Sequence, residues 1–293
     1  MLSGPMKRYR DIAGDGGSQV VDQVVEQQAA IERNLAGVRS IVAIGSGKGG
    51  VGKSTLTLRL GTAMQRSGMR TAILDADING PTQARLAGMQ DAPLLPGLRG
   101  LALPRNADGL GVVSLGSVVP ESAAVEFESV STGDSHVWRA TREFGLLSEL
   151  LRGVEWGRLD MLLLDLPPGA ERTFQYAEFL GPRASFVLVT LPSELSRGVV
   201  TRSVAALADL PNRVLGYIEN MKGYYCAECG TLKPLFPDAR ETDLGIPCLG
   251  SVPFDPEVAA QSDRGEPRPT RSETDRALNG IVDALRRSLE ETK

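Results

Sequence analysis

Short apolar runs, separated by longer segments of helical periodicity, recur through most of this chain. They are Ile41–Ile44, Thr71–Leu74, Val112–Leu115, Met161–Leu164, Phe186–Val189, Val214–Ile218 and Leu249–Val252. Runs apolar on both faces suit the central strands of a parallel sheet covered by helices on each side. The alternation predicts an α/β fold with a doubly wound, mostly parallel sheet, whose ligands lie at the carboxyl ends of the strands. Val20, Val21, Val24, Val25, Ile31 and Leu35 recur at helical spacing and predict an amphipathic helix packed outside the main domain. Ala277, Leu278, Ile281, Val282, Leu285 and Leu289 mark a closing amphipathic helix. The expected organisation is an N-terminal flexible segment plus helix over residues 1–38 and a single domain over 39–293. Met1 to Gly17 reads as a polar segment without fixed structure, Ala92 to Asp108 as an irregular connection, and Pro120 to Asp134 as a surface insertion.

Composition narrows the class. Of 293 residues, 42% are hydrophobic and 23% charged, the balance of a globular protein that stays in water. A net charge of −4 leaves no footprint for general nucleic-acid binding. No apolar run approaches the roughly 18–20 residues that cross a bilayer, and no apolar stretch follows the charged start. The expectation is a cytoplasmic protein with neither nucleic-acid nor membrane partners. Three cysteines make no disulfide framework, so the close pair Cys226 and Cys229 asks for a metal or redox explanation.

The strand Ile41–Ile44 runs into Gly47-Lys48-Gly49-Gly50-Val51-Gly52-Lys53-Ser54, spaced G-x-x-x-x-G-K-S, and then into the helix-like Thr55–Gln65. Glycines let the backbone turn tightly, so that successive N–H groups point at phosphate oxygens. A helix start adds its positive dipole end at the same place. Lys53 is expected on the β- and γ-phosphates of ATP, and the Ser54 hydroxyl on Mg²⁺. The nucleotide-binding set is therefore Gly47, Gly49, Gly50, Val51, Gly52, Lys53, Ser54 and Thr55. Asp77 and Asp165 close two apolar strands. Carboxylates there can hold Mg²⁺ and orient an attacking water. Asp165 sits where a Walker B aspartate belongs, and Pro167-Pro168-Gly169 makes a bend able to sense the γ-phosphate.

Lys48 adds a second layer. The run Lys48-Gly49-Gly50-Val51-Gly52-Lys53-Ser54 resembles the deviant Walker A motif of the MinD/ParA/nitrogenase-iron-protein class. In that class the first lysine reaches across a dimer interface, where a cation in trans stabilises charge on the transferred phosphoryl group. The resemblance implies a nucleotide-sandwich dimer, with Lys48, Lys53, Asp77 and Asp165 as its catalytic set. Asp77 is by the same resemblance the switch residue near the attacking water, and Asp75 is more structural.

Cys226-Ala227-Glu228-Cys229-Gly230 is a C-x-x-C-G turn that lets two thiolates face one metal. Zinc or an iron–sulfur cluster needs about four protein ligands. Cys248 sits in an apolar approach to a strand, where a small buried hydrophobe is expected, and His136 is the sole histidine. One chain does not easily complete such a site, whereas two chains around a symmetric interface do. A zinc knuckle or a redox pair remains open from the spacing alone.

With Asp75-Ala76-Asp77-Ile78-Asn79-Gly80-Pro81, Trp156–Asp160, Asp165–Gly169 and Glu219-Asn220-Met221 added, the chain resembles the Mrp/ApbC branch of P-loop ATPases from about Ser40 to Pro267. That resemblance implies an iron–sulfur cluster carrier or scaffold. In it the cysteine pairs of a homodimer bridge a [4Fe–4S] cluster that is passed to apo iron–sulfur client proteins, with ATP hydrolysis coupled to transfer. It also implies that Asn220 contacts adenine, that Pro253 lies in the loop closing on the base, and that the cysteines form an insertion near 222–240. No N-K-x-D guanine motif is present, which favours ATP over GTP.

The chain departs from that family where Thr-Gly-Asp usually follows Pro-Pro-Gly. Ala170-Glu171-Arg172 stands there instead, beside the γ-phosphate sensor, and implies slow or differently controlled hydrolysis. Two other functions keep the same nucleotide loop: a MinD/ParA-like positioning ATPase whose cysteines hold zinc or nothing, and an ATPase that assembles another metallocentre.

Overall fold

The computed structural model describes residues 20–115, 136–226, 229, 231–236, 244–269 and 272–291. The polar start Met1–Gly17 and the whole of the expected Pro120–Asp134 insertion lie outside them. Helix α1 (Val20–Asn34) is followed by β1 (Ile41–Ser46), α2 (Lys53–Arg66), β2 (Thr71–Asp75) and α3 (Gln83–Leu86). After short β3 (Leu101–Ala102) and β4 (Gly111–Val113) come α4 (His136–Gly153), β5 (Val154–Glu155), β6 (Met161–Asp165) and α5 (Ala170–Leu180). The chain continues through β7 (Ala184–Thr190), α6 (Glu194–Leu207), β8 (Arg213–Tyr225) and β9 (Leu232–Pro234). It closes with β10 (Cys248–Phe254), α7 (Pro256–Arg264) and α8 (Ser272–Glu290).

Strands run in the order β10-β8-β7-β1-β6-β2-β4, every neighbouring pair parallel, with β9 antiparallel on the far end of β8. This is the mostly parallel α/β sheet that the apolar runs predict. Alternation along each strand feeds two core layers. Ile41, Ala43, Leu162 and Leu164 face one layer with Leu147 and Leu150 of α4 and Tyr176 of α5. Val42, Ile44, Met161 and Leu163 face the other, with Leu56, Leu60 and Met64 of α2 and Leu278, Ile281 and Leu285 of α8. Ile31 of α1 and Leu35 just beyond it are buried in the first layer, so this helix docks on the domain by its last turn.

Two boundaries differ from the sequence expectation. β8 extends to Tyr225 because β9 pairs with its end, Tyr225 opposite Leu232 and Gly223 opposite Pro234. Within the connection 92–108, Leu101–Ala102 pairs with Val154–Glu155 as a separate two-stranded sheet. β1 is central, and its neighbours β6 and β7 lead away on opposite sides. Their carboxyl ends therefore open a crevice in the middle of the sheet.

Candidate functional site

β1 ends at Ser46, and residues 47–52 turn into α2 at Lys53. Gly50 and Gly52 hold φ of 76° and 78°, a left-handed conformation that an L side chain adopts only at a cost. Gly52 meets a further constraint, since a Cβ there would lie 2.4 Å from Nδ2 of Asn220. That Nδ2 donates to the Val51 carbonyl at 2.8 Å, pinning the end of the loop to β8. The first turn of α2 carries no acidic residue, so its positive dipole end faces the loop without a resident counter-charge. Gly49 and Lys48 are exposed at the loop's outer edge.

Beneath the loop lies a cluster of oxygens. Lys53 Nζ pairs with Asp165 Oδ1 at 2.5 Å and reaches Ser54 Oγ at 3.3 Å, with Lys53 and Asp165 both buried. Thr57 Oγ1 donates to Asp165 Oδ1 at 3.3 Å. Gln83 Nε2 donates to Asp165 Oδ2 and to the Ser54 carbonyl, each at 2.9 Å. Its Oε1 is buried without a hydrogen-bond partner among the described residues. A buried acceptor left over beside Ser54 and Asp165 fits a hard cation with its water shell, as does the all-oxygen donor set. Asp77 is half-buried and accepts from the Gly80 N–H at 3.2 Å. Burial raises its carboxyl above the usual range, opposed by Lys53 and reinforced by Asp165.

Asp75 holds the switch segment rather than the crevice. It accepts from the N–H groups of Asp77, Thr82 and Gln83 and from Ser114 Oγ, at 2.8–3.2 Å. Burial, with Asp165 next, pushes it up to about 7 against the pull of those donors.

A cavity of about 110 Å³ opens beside the loop, lined by Thr55, Leu56, Asn220, Met221, Pro253 and Phe254 among others. It joins Asn220 and Pro253 over an apolar floor. Met221 has φ of 56°, the one left-handed non-glycine among the described residues. Beside it, Glu219 and Arg197 form a buried ion pair at 2.7 Å, and Lys222 reaches Glu219 at 3.1 Å. Burial raises the Glu219 carboxyl, but these two cations outweigh it and hold it below the usual range.

The strand that carries Asn220 continues to the cysteines. Cys226 follows β8 directly, and its N–H donates to the Thr231 carbonyl at 3.0 Å, closing the hairpin with β9. Cys229 Sγ lies 2.9 Å from Thr231 Oγ1. Cys226 is partly exposed and Cys229 exposed. Among the described residues no group of three or more His, Cys, Asp or Glu could hold a metal ion. Cys248 does not join the pair. It pairs with Tyr217, nine residues before Cys226, or about 30 Å along the strand. Cys248 is also exposed, which corrects the expectation of a buried hydrophobe. It begins an outer strand, where the apolar neighbours Pro247 and Leu249 do not guarantee cover.

Sequence reading did not find Gln83, Met221 or the Arg197–Glu219 pair. Gln83 follows a Gly-Pro-Thr turn as an ordinary polar residue, and Arg197 and Glu219 become neighbours only across α6 and β8.

The family model for ParA, described as NUBPL iron-transfer P-loop NTPase, matches residues 37–286. The chain belongs to this family. The NUBPL-type chain is 30% identical over 249 residues to the iron-sulfur cluster carrier protein of Methanocaldococcus jannaschii, covering 83% of this chain and 82% of that one. It is 35% identical over 246 residues to the cytosolic Fe-S cluster assembly factor NUBP2 of Bos taurus, covering 82% and 88%. Among solved structures, the nucleotide-binding protein of Archaeoglobus fulgidus in complex with ADP superposes with a TM-score of 0.67 and 29% identity, covering 81% and 90%. The cell division ATPase MinD of Pyrococcus furiosus shares the fold at a TM-score of 0.59 and 19% identity, covering 85% and 99%. The NUBPL-type chain thus has the P-loop NTPase fold of the MinD/ParA group. Among the described residues no helix is long and apolar enough to cross a membrane.

Proposed function

We propose that this protein is an ATP-dependent iron–sulfur cluster carrier. It works as a homodimer whose two Cys226/Cys229 pairs hold one [4Fe–4S] cluster as cargo for apo iron–sulfur client proteins. One observation carries the reading: an accessible pair of thiols at a hairpin tip, half a ligand set, on the strand that also pins the nucleotide loop. Relatives that align over most of the chain, named an iron-sulfur cluster carrier protein and a cytosolic Fe-S cluster assembly factor, support it.

Lys53 and the loop N–H groups bind the ATP phosphates, Ser54, Asp77 and Asp165 take Mg²⁺, and Asn220 with Pro253 holds the base. Magnesium supplies charge neutralisation between the phosphates. Asp77 orients the attacking water, and exposed Lys48 is free to reach the partner copy's nucleotide. Residues 39–293 act as one ATPase domain with the cysteine hairpin as its 222–240 insertion, α1 serves as an accessory, and the site of action is the cytoplasm.

The test is anaerobic reconstitution with iron and sulfide, followed by metal and sulfide analysis. About four irons and four sulfides per two chains are expected. A Cys226→Ser/Cys229→Ser variant should hold neither. Equal loading of that variant, or zinc alone in protein purified without oxygen, would overturn the reading.

A further inference from the structure

Arg172 stands where the sequence departs from its resemblance, on the first turn of α5 just after the Pro-Pro-Gly bend. Its Nη2 donates to Oε2 of Glu143 on α4, and the other oxygen of Glu143 accepts from Asn79 Nδ2. Glu143 is buried, so this carboxylate is held between a cation from α5 and an amide from the switch loop. Nη1 of Arg172 donates to Gln175 at 2.8 Å, and the guanidinium lies over the rings of Phe144 and Tyr176, 5.9 and 5.5 Å from their centroids. Its direction is thus fixed from two sides.

Tyr176, one turn further along α5, holds the same loop at a second point. Its hydroxyl donates to the Ala76 carbonyl at 2.6 Å. Residues 172 and 176 share one helical face, so α5 grips the segment Ala76–Gly80 directly at Ala76 and through Glu143 at Asn79. The start of α5 is tied in turn to the phosphate-loop strand, because Gly169 N–H donates to the Ser46 carbonyl at 2.8 Å. Asp77 lies between the two grips. Asn79 is otherwise exposed, and its side-chain amide bonds to Glu143.

We infer that Arg172 is a positioning residue for ATP hydrolysis, acting through Glu143 and Asn79 to set the Asp77 switch loop against the Pro-Pro-Gly bend. The inference rests on the ATPase reading above.

The test uses the full chain with Arg172→Ala, Asn79→Ala, their combination, and Arg172→Ala/Glu143→Gln, which removes the stranded buried charge. ATP turnover should fall about 10-fold or more in both single variants, with KM and ADP affinity within about 2-fold. The double variant should be no slower than the worse single, since both break one connection. Turnover should stay low in Arg172→Ala/Glu143→Gln even where its melting temperature recovers. Additive losses, a rise in KM alone, or recovery of turnover together with stability would make Arg172 merely structural and overturn the inference. Hydrogen exchange of the 76–80 amides with Mg·ATP bound reads the loop without turnover. Protection should drop in both single variants, and unchanged protection overturns the inference even if the wild type proves not to hydrolyse ATP. Absent wild-type turnover with lost protection would count against the ATPase reading alone.

Discussion

Replacing Gly52 by alanine tests whether the nucleotide loop and β8 are packed as one unit. Two costs add. An L residue at φ 78° costs roughly 1–2 kcal/mol relative to glycine. The new Cβ would also stand 2.4 Å from Asn220 Nδ2, so the amide must leave the Val51 carbonyl it bonds at 2.8 Å. Stranding that buried donor and acceptor costs about 1–3 kcal/mol more. The sum, about 2–5 kcal/mol, corresponds to a melting temperature lowered by roughly 5–15 °C in a chain this size. Gly68→Ala isolates the first cost, since Gly68 has φ of 88° and nothing within 4 Å of a built Cβ. Denaturant titration of both variants, with and without nucleotide, gives the difference. Gly52→Ala should be the less stable by the amide's share, and its ATP affinity should fall at least about 10-fold as Asn220 leaves the base cavity. Equal destabilisation of the two variants would refute the contact, and undiminished ATP affinity would refute the role given to Asn220.

Two further outcomes follow from buried charge. Arg197→Met removes one partner of the Arg197–Glu219 pair and should cost about 3 kcal/mol, the low end for a buried pair because Lys222 stays on Glu219; Arg197→Met/Glu219→Leu should recover most of it, measured as a double-mutant cycle in urea. Asp75 titrates at about 7 in the fold against an ordinary 3.8, so its folded form favours the proton. Its contribution is whole below about pH 4 and is lost as pH rises to 7, by up to about 4 kcal/mol. The stability of wild type relative to Asp75→Asn should fall by that route across pH 4–7, and a relative stability that rises instead would reverse the assignment.

The sheet was legible because its strands are buried on both faces and therefore read as uninterrupted apolar runs, as at Met161–Leu164 and Phe186–Val189. The phosphate loop was legible because a local turn needs local glycines. What escaped were contacts between segments far apart in the chain. Nothing at Gly52 announces Asn220, which stands 168 positions later, and nothing at Arg172 announces Glu143. The end of β8 was missed for a related reason. Its last residues are half-exposed and become a strand only because Leu232–Pro234 pairs with them. Cys248 misled because its apolar neighbours were read as burial, whereas the first residue of an outer strand is open on one side.

The distance between the cavity and the cysteines is covered by one strand. From Asn220 to Cys226 the chain advances about 20 Å along β8, with β10 paired on one side and β9 on the other. No hinge glycine with a left-handed φ interrupts that stretch, but Met221, which lines the cavity, is left-handed, and the register with β10 shifts between the Asn220–Val252 and Tyr224–Phe254 pairs. The Arg197–Glu219 pair anchors the strand to α6 immediately before Asn220. On the proposed function, a shift of Asn220 between nucleotide states would be resisted behind that anchor and carried toward the hairpin. Any such coupling must be reciprocal: the factor by which nucleotide alters the affinity for cargo equals the factor by which cargo alters the preference for nucleotide. Binding measured in either direction thus yields the same coupling energy, and a coupling of zero would mean that the strand transmits nothing.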